Sequence, residues 1–313
     1  MKKTTTGIHH ITAIAGDAQR NIDFYTGVLG LRLVKKTVNF DDPGTYHFYF
    51  GDEQGHPGTI ITFFPWQDLE QGTVGDGQVG VTVYAVPTGA LGFWEKRLQN
   101  HKVHTEYTTR FGERYLAFSD PDGLKLELVE RPASEQKAWT WAGITAETAI
   151  MGFDGAVLYS LRPQETMQLL DGGLGLEKVA EDNGFIRYRS LADRGSIVDI
   201  RATASAVIGR QGTGTVHHIA WRASSAEDQM QWQSLLYESG YRVTPVQDRN
   251  YFTSIYFREK GGILFEIATD GPGFAIDENL AELGTALKLP AQYEKYRSQL
   301  EKSLPAIYIK ESL

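Results

Sequence analysis

Two histidine pairs stand in matched contexts: Ile8-His9-His10-Ile11-Thr12-Ala13 near the start and Val216-His217-His218-Ile219-Ala220-Trp221 far downstream. Four of the chain's eight histidines fall in these two β-like runs, and the chain has no cysteine. A bound metal would therefore use imidazole and carboxylate ligands. Two imidazoles and one carboxylate, with positions left open, make the facial triad of non-haem Fe(II) oxygenases. The carboxylates to weigh are Glu127, Asp199 and Glu266, each in a run of apolar residues.

The segments around these residues repeat. Asn21 to Leu31 and the run ending Asp171-Gly172-Gly173-Leu174-Gly175-Leu176 each read as a short amphipathic helix stopped by glycine and followed by a strand. Phe118-Ser119-Asp120-Pro121-Asp122-Gly123 precedes the Glu127 strand as Phe257-Arg258-Glu259-Lys260-Gly261-Gly262 precedes the Glu266 strand. Laid end to end, these signals give an α+β chain of four βαβββ units, roughly 7–65, 78–131, 152–202 and 214–269. It reads as a duplicated two-unit domain, 1–135 and then 145–270, followed by a helical tail over 271–313. Helices are expected at Leu280–Leu287 and Ala291–Leu304, and Arg131 to Gly143, with Pro132, Ser134 and Glu135, is the expected linker.

The repeat supplies a register. The opening strands align His10, Gly80, Ala156 and His218, and the closing strands align Thr62, Glu127, Asp199 and Glu266. Units 1 and 2 together offer His10 and Glu127; units 3 and 4 offer His218, Asp199 and Glu266; units 2 and 3 offer no imidazole. Units 1 and 4 alone combine two histidines with one carboxylate: His10, His218 and Glu266, with Thr62 at the fourth corner. The second cavity is expected to hold no metal, with Glu127 a relic or a solvated strand residue. Neighbours on a strand point to opposite faces. The face of Thr12 and Ala220 has more room than that of Ile11, Ile219 and Trp221, which selects His10 and His218 as ligands. His9 and His217 are candidates for the partners that fix a ligand's tautomer.

Four βαβββ units, with a histidine in an opening strand and a glutamate in a closing one, resemble the glyoxalase/bleomycin-resistance/extradiol-dioxygenase (vicinal oxygen chelate) superfamily. Gly7-Ile8-His9-His10-Ile11-Thr12, Phe111-Gly112-Glu113-Arg114-Tyr115 and Leu283-Gly284-Thr285-Ala286-Leu287-Lys288-Leu289-Pro290 resemble, more closely, the hydroquinone-type ring-cleaving dioxygenases. The resemblance runs along essentially the whole chain. It implies two glyoxalase-like domains, Fe(II) as the metal with Mn(II) or another divalent ion able to replace it, and a hydroquinone- or catechol-like diol plus O2 as substrates. It implies also that His217 reaches the site through a local distortion and that Thr12, Arg249 and Tyr256 face a bound phenol. A phenol oxygen becomes a good ligand when deprotonated, so Arg249 would supply charge and Tyr256 a hydrogen bond. Two other readings lie within the superfamily. A glyoxalase-type isomerase or lyase would carry a second carboxylate where Thr62 stands, and a non-catalytic small-molecule-binding resistance protein needs no triad.

Composition narrows the classes. A hydrophobic fraction of 41% and a charged fraction of 22% suit a soluble globular protein. Thirty-nine acidic against 31 basic residues, with no basic cluster, argue against nucleic acid. No run approaches the roughly 18 apolar residues of a membrane span, and Met1-Lys2-Lys3-Thr4-Thr5-Thr6 leads into a β-like run without an apolar signal core. A cytoplasmic location and a homo-oligomer are the expectations. Phe63, Phe64, Trp66, Phe252 and Phe274 are candidates to wall an apolar ring pocket. His56, His101 and His104 read as solvated, and His47, within Tyr46-His47-Phe48-Tyr49-Phe50, carries no assigned role.

Overall fold

The computed structural model describes residues 3–133 and 139–309. Ser134 and Glu135 of the expected linker, and Met1, Lys2 and 310–313 at the ends, lie outside the described residues. Among the described residues, β-branched and aromatic side chains build sixteen strands. The first unit contributes β1 (Ile8–Ala15), β2 (Arg32–Val38), β3 (Tyr46–Gly51) and β4 (Ile60–Pro65). The second contributes β5 (Gln78–Pro87), β6 (Thr105–Arg110), β7 (Glu113–Ser119) and β8 (Lys125–Arg131). The third contributes β9 (Gly152–Tyr159), β10 (Glu177–Asp182), β11 (Phe185–Arg189) and β12 (Ile197–Arg201). The fourth contributes β13 (Thr215–Ala223), β14 (Gln247–Asp248), β15 (Phe252–Arg258) and β16 (Leu264–Pro272).

These form two curled eight-stranded sheets, ordered β14-β15-β16-β13-β1-β4-β3-β2 and β10-β11-β12-β9-β5-β8-β7-β6. The first joins unit 4 to unit 1 and the second joins unit 3 to unit 2, so each sheet takes one unit from each half of the chain. The two connections that cross between sheets run side by side, with Gln71 bridged to Thr213, Thr73 to Arg210 and Asp76 to Ile208. Within a unit the opening and closing strands are parallel neighbours, as β1 with β4 and β13 with β16. The seam between units is antiparallel, β1 against β13.

One helix per unit covers its sheet: α1 (Ala18–Ile22), α2 (Leu91–Asn100), α3 (Pro163–Gln168) and α4 (Ala226–Glu238). The Asp17 carboxylate accepts from the Arg20 N–H and the Ser225 hydroxyl from the Asp228 N–H, capping α1 and α4. Both α1 and α3 run into a π-helical turn, Asp23–Val28 and Leu169–Gly173. The chain then leaves through Gly30 at φ +67° and Gly175 at φ +77°, a left-handed conformation that a side chain would oppose. Alternation sorts β1 and β13 into two faces. Ile11, Ala13, Ile219 and Trp221 join Trp94, Trp232, Phe48 and Phe50 in the main core, while Ala220 packs on the other face with Tyr49, Tyr251 and Phe252.

The tail corrects one expectation. Leu280–Leu287 is not a helix: only Leu280–Glu282 makes a 3-10 turn, Gly284 takes φ +78°, and Leu287 bridges to Lys36 beside β2. The Glu278 carboxylate captures the backbone N–H groups of Gly284 and Ala286, which a helix would have needed inside itself. Buried Lys35 on β2 in turn pairs with Asp277 and Glu278. Farther on, Ala291–Tyr296 is 3-10 and α5 (Arg297–Ser303) is helical. Among the described residues no helix is long and apolar enough to cross a membrane.

Candidate metal centre

The site sits at the seam of β1 and β13, on the face away from the main core. Two irregularities in that seam shape it. Pairing passes from Ile8↔Trp221 to His10↔Ala220, skipping His9, and from Thr12↔His218 to Ala13↔Val216, skipping His217. His9 and His217 are thus the extra residues of two β-bulges, which locally break strict alternation. Adjacent rings can then meet: His9 Nδ1 is 2.9 Å from His10 Nδ1, and His217 Nδ1 is 2.8 Å from His218 Nδ1. With Nδ1 engaged, each of His10 and His218 turns Nε2 inward.

Parallel pairing of β13 with β16 sets Glu266 beside Ala220, and antiparallel pairing with β15 sets it beside Tyr256. Glu266 Oε2 comes within 2.8 Å of His218 Nε2 and 3.4 Å of His10 Nε2, and the two Nε2 atoms are 3.4 Å apart. Ligand atoms of these three buried residues all lie within 4.8 Å of one another. Glu266 Oε1 accepts from the Ser254 hydroxyl, whereas the fully buried Oε2 has no partner of hydrogen-bond geometry despite those short approaches. Three potential donor atoms within 3.4 Å of one another, one of them a carboxylate oxygen with no partner of hydrogen-bond geometry, fit a divalent cation with further positions open.

The electrostatics agree with that donor set. Burial alone would raise the Glu266 carboxyl, but His10 and His218 hold it well below the ordinary carboxylate range. Burial lowers the His218 imidazole, with Glu266 opposing. Burial also pushes His217 down to about 3, helped by His218. An ionised carboxylate and imidazoles that burial pushes toward the neutral form are the states that metal binding requires.

A cavity of about 560 Å³ opens onto His10 and His218. Thr12, His217, Arg249 and Tyr256 line it. His9 lies behind, edge to face with Phe252 at 5.1 Å. Arg249 Nε is 3.2 Å from the Tyr256 hydroxyl, and its Nη2 donates to both Asp41 and Gln247. Burial and the charge of Glu266 keep Tyr256 a neutral phenol, Arg249 pulling the other way. Of the five aromatics weighed as walls, Phe64, Trp66 and Phe252 line the cavity; Phe63 packs against Tyr25, and Phe274 against Tyr49 and Tyr251. His47, Tyr49 and Ser254 were missed. They lie on β3 and β15, strands that carry no ligand, so the alternation of the ligand strands did not point to them. A larger groove of about 840 Å³ by exposed His101 and His104 contains none of the triad. His56 is half-exposed and bound to Asp52 at 2.8 Å, so it is not simply solvated.

The second sheet holds the equivalent corner, with two corrections. Its seam is bulged at Gly80 and Asp154, so the counterparts of His10 and His218 are Val81 and Gly155, one residue from Gly80 and Ala156. The closing-strand register holds: Thr62 pairs with Thr12, Glu127 with Val83, Asp199 with Val157 and Glu266 with Ala220, each two residues past the ligand position. Glu127 is not solvated either. It is buried and held at 2.7 Å by Arg110, which also reaches Asp199 at 2.8 Å, and Arg187 grips Asp199 from the other side at 2.7 Å. Guanidinium groups neutralise these carboxylates.

A sequence-family model described as the glyoxalase/bleomycin resistance protein/dioxygenase superfamily matches residues 7–128 and 152–267. The chain belongs to that superfamily. It is 57% identical over 99% of both chains to a Bacillus subtilis protein named "Putative ring-cleaving dioxygenase MhqO". It is 33% identical, over 95% of both chains, to the chlorohydroquinone/hydroquinone 1,2-dioxygenase of Sphingobium indicum. A Bacillus subtilis crystal structure at 57% identity superposes over 99% of both chains with a TM-score of 0.97. Maize glyoxalase I, 14% identical, shares the fold at a TM-score of 0.62 over 84% of this chain and 92% of its own.

Proposed function

We propose that this protein is an Fe(II)-dependent, extradiol-type ring-cleaving dioxygenase acting on hydroquinone- or catechol-like diphenols with O2. The observation that carries the reading is the convergence of His10, His218 and Glu266 with a threonine at the fourth corner. Thr62 is already hydrogen-bonded to Thr12 at 2.8 Å and His47 at 2.9 Å. It offers neither the second carboxylate nor the base that the isomerase reading needs. The names of the relatives support ring cleavage, and that of the Sphingobium protein supports a 1,4-diol among the substrates.

Bound there, Fe(II), or Mn(II) in its place, supplies the Lewis acidity and electrons through which O2 reacts with a diphenol. The chain does the rest. His9 and His217 hold the ligand rings by their Nδ1 atoms, and Ser254 fixes the carboxylate. Phe64, Trp66 and Phe252 offer apolar walls to an aromatic ring. Arg249 favours the phenolate form of a diol oxygen, and Tyr256, kept as a phenol, donates a hydrogen bond. A cytoplasmic location and a homo-oligomeric assembly belong to the same proposal.

The test is oxygen uptake by protein reconstituted anaerobically with Fe(II), offered hydroquinone, methylhydroquinone and catechol. Uptake coupled to loss of aromatic absorbance is the expected result; no uptake with iron bound at one per chain would sink the reading. Arg249→Met is expected to raise KM about tenfold, the scale of one charge-assisted hydrogen bond, with a smaller change in kcat. An unchanged KM would remove Arg249 from substrate binding.

A further inference from the structure

We propose that His47 is the middle link of a reversible proton relay, Thr12–Thr62–His47–Tyr49, that carries one proton away from a diphenol hydroxyl bound in the cavity. The inference rests on the ring-cleaving reading for its substrate and on geometry for the relay itself.

Register lays the chain out. Tyr49 on β3 pairs with Thr62 on β4, Thr62 with Thr12 on β1, and Thr12 with His218 on β13, so these residues cross the sheet at one level. His47 shares a face with Tyr49, two residues along β3. Thr12 Oγ1 is 2.8 Å from Thr62 Oγ1, Thr62 Oγ1 is 2.9 Å from His47 Nε2, and His47 Nδ1 is 2.9 Å from the Tyr49 hydroxyl. The rings of Tyr49 and Phe64, 4.1 and 4.4 Å from that of His47, hold its plane. Thr12 and Tyr49, the two ends, line the cavity, and Thr62 between them is fully buried.

Every link is both donor and acceptor: three hydroxyls and a neutral imidazole, which donates through one nitrogen and accepts through the other. Burial keeps the imidazole neutral and Tyr49 a phenol. The chain therefore has two polarities. In one, Thr12 donates to Thr62, Thr62 to Nε2 and Nδ1–H to Tyr49, whose own hydrogen faces the cavity; in the other every bond is reversed and the free hydrogen is on Thr12. A diol O–H breaks and its proton bonds to Thr12 Oγ1. The Thr12 proton passes to Thr62, the Thr62 proton to Nε2, the Nδ1 proton to Tyr49, and the original Tyr49 proton to a water molecule in the cavity. Each link ends with the one proton it began with, the diol is a phenolate, and no charge stays in the chain. The opposite passage returns a proton at Thr12 and resets the polarity.

Thr62→Val tests this, because it removes the central hydroxyl at nearly constant volume and alters no cavity wall. The expected result is a fall in kcat of about 30-fold, within the range of lost acid–base assistance, with little change in KM and loss of the solvent deuterium isotope effect. Tyr49→Phe should do the same, and Thr62→Ser should recover most of the rate. A second readout needs no turnover. In the full-length wild-type protein the ¹⁵N shifts of the His47 ring should show the proton shared between both nitrogens, and in Thr62→Val it should settle on one. A single fixed tautomer in the wild type, or a Thr62→Val enzyme with unchanged kcat and isotope effect, overturns the relay and leaves ring cleavage standing. A shared proton on His47 in a protein that cleaves no diphenol supports the relay and overturns the ring-cleaving reading.

Discussion

Replacing Glu266 by alanine should abolish diphenol-dependent oxygen uptake, by about three orders of magnitude or more, and strip the protein of stoichiometric iron. Glu266 is the sole carboxylate among the three converging ligands. Without it two neutral imidazoles remain, with no anionic donor to offset the charge of a divalent cation. Its oxygens divide the work: Oε1 takes the Ser254 hydroxyl and Oε2 faces the two Nε2 atoms. Ser254→Ala should consequently leave the ligand but loosen its aim, lowering metal affinity about tenfold. His10→Ala should match Glu266→Ala in activity. Metal analysis beside oxygen uptake, with circular dichroism to check the fold, makes the measurement. Wild-type uptake in Glu266→Ala would show that the chemistry happens elsewhere.

The four-unit fold was readable because its signals are local: helix, glycine stop, strand, and a closing strand with one acidic residue. The triad was readable for a different reason. Histidine and glutamate are chemically distinctive, and only one pairing of units offers two imidazoles and a carboxylate. Bulges are not written that way. Whether His9 or His217 is an extra residue depends on how β1 and β13 pair, a two-against-one match between segments far apart in sequence. The same device displaced the expected Gly80 and Ala156 by one position each, although the closing strands, which lack bulges there, kept register. Long side chains escape for another reason: Arg110 starts on β6 and reaches Glu127 on β8 and Asp199 on β12, and Arg187 on β11 meets Asp199 only because β11 and β12 pair in that register. The tail misled because Leu280–Leu287 has helical composition, while the group that prevents the helix, Glu278, lies before it.

The second sheet converts this comparison into a stability prediction. Arg187→Met should destabilise the protein by about 3–5 kcal/mol, the scale of removing one partner from a buried charge cluster. Arg187 grips Asp199 through Nε and a second nitrogen at 2.7 and 2.9 Å, donates to the Tyr115 hydroxyl at 2.7 Å, and pairs with Glu113. Asp199 is 1% exposed, so the loss of one guanidinium leaves a carboxylate in the interior with Arg110 alone, which Glu127 already claims. Glu113 adds a pH signature. Burial would raise it, but Arg187 and Arg131 bring it down to about 2 from 4.5. A depressed carboxyl stabilises the fold above its unfolded value and loses that contribution as pH falls through its folded one. Acid unfolding of the wild type should therefore draw on Glu113 between about 4.5 and about 2, and in Arg187→Met the loss should begin at the same pH, set by the unfolded chain, but end at a higher one. Combining Arg187→Met with Asp199→Leu removes both buried charges of the pair and should recover part of the lost stability. Denaturant titrations of the wild type and the two variants decide it: an Arg187→Met protein within about 1 kcal/mol of wild type would mean that solvent already reaches this cluster.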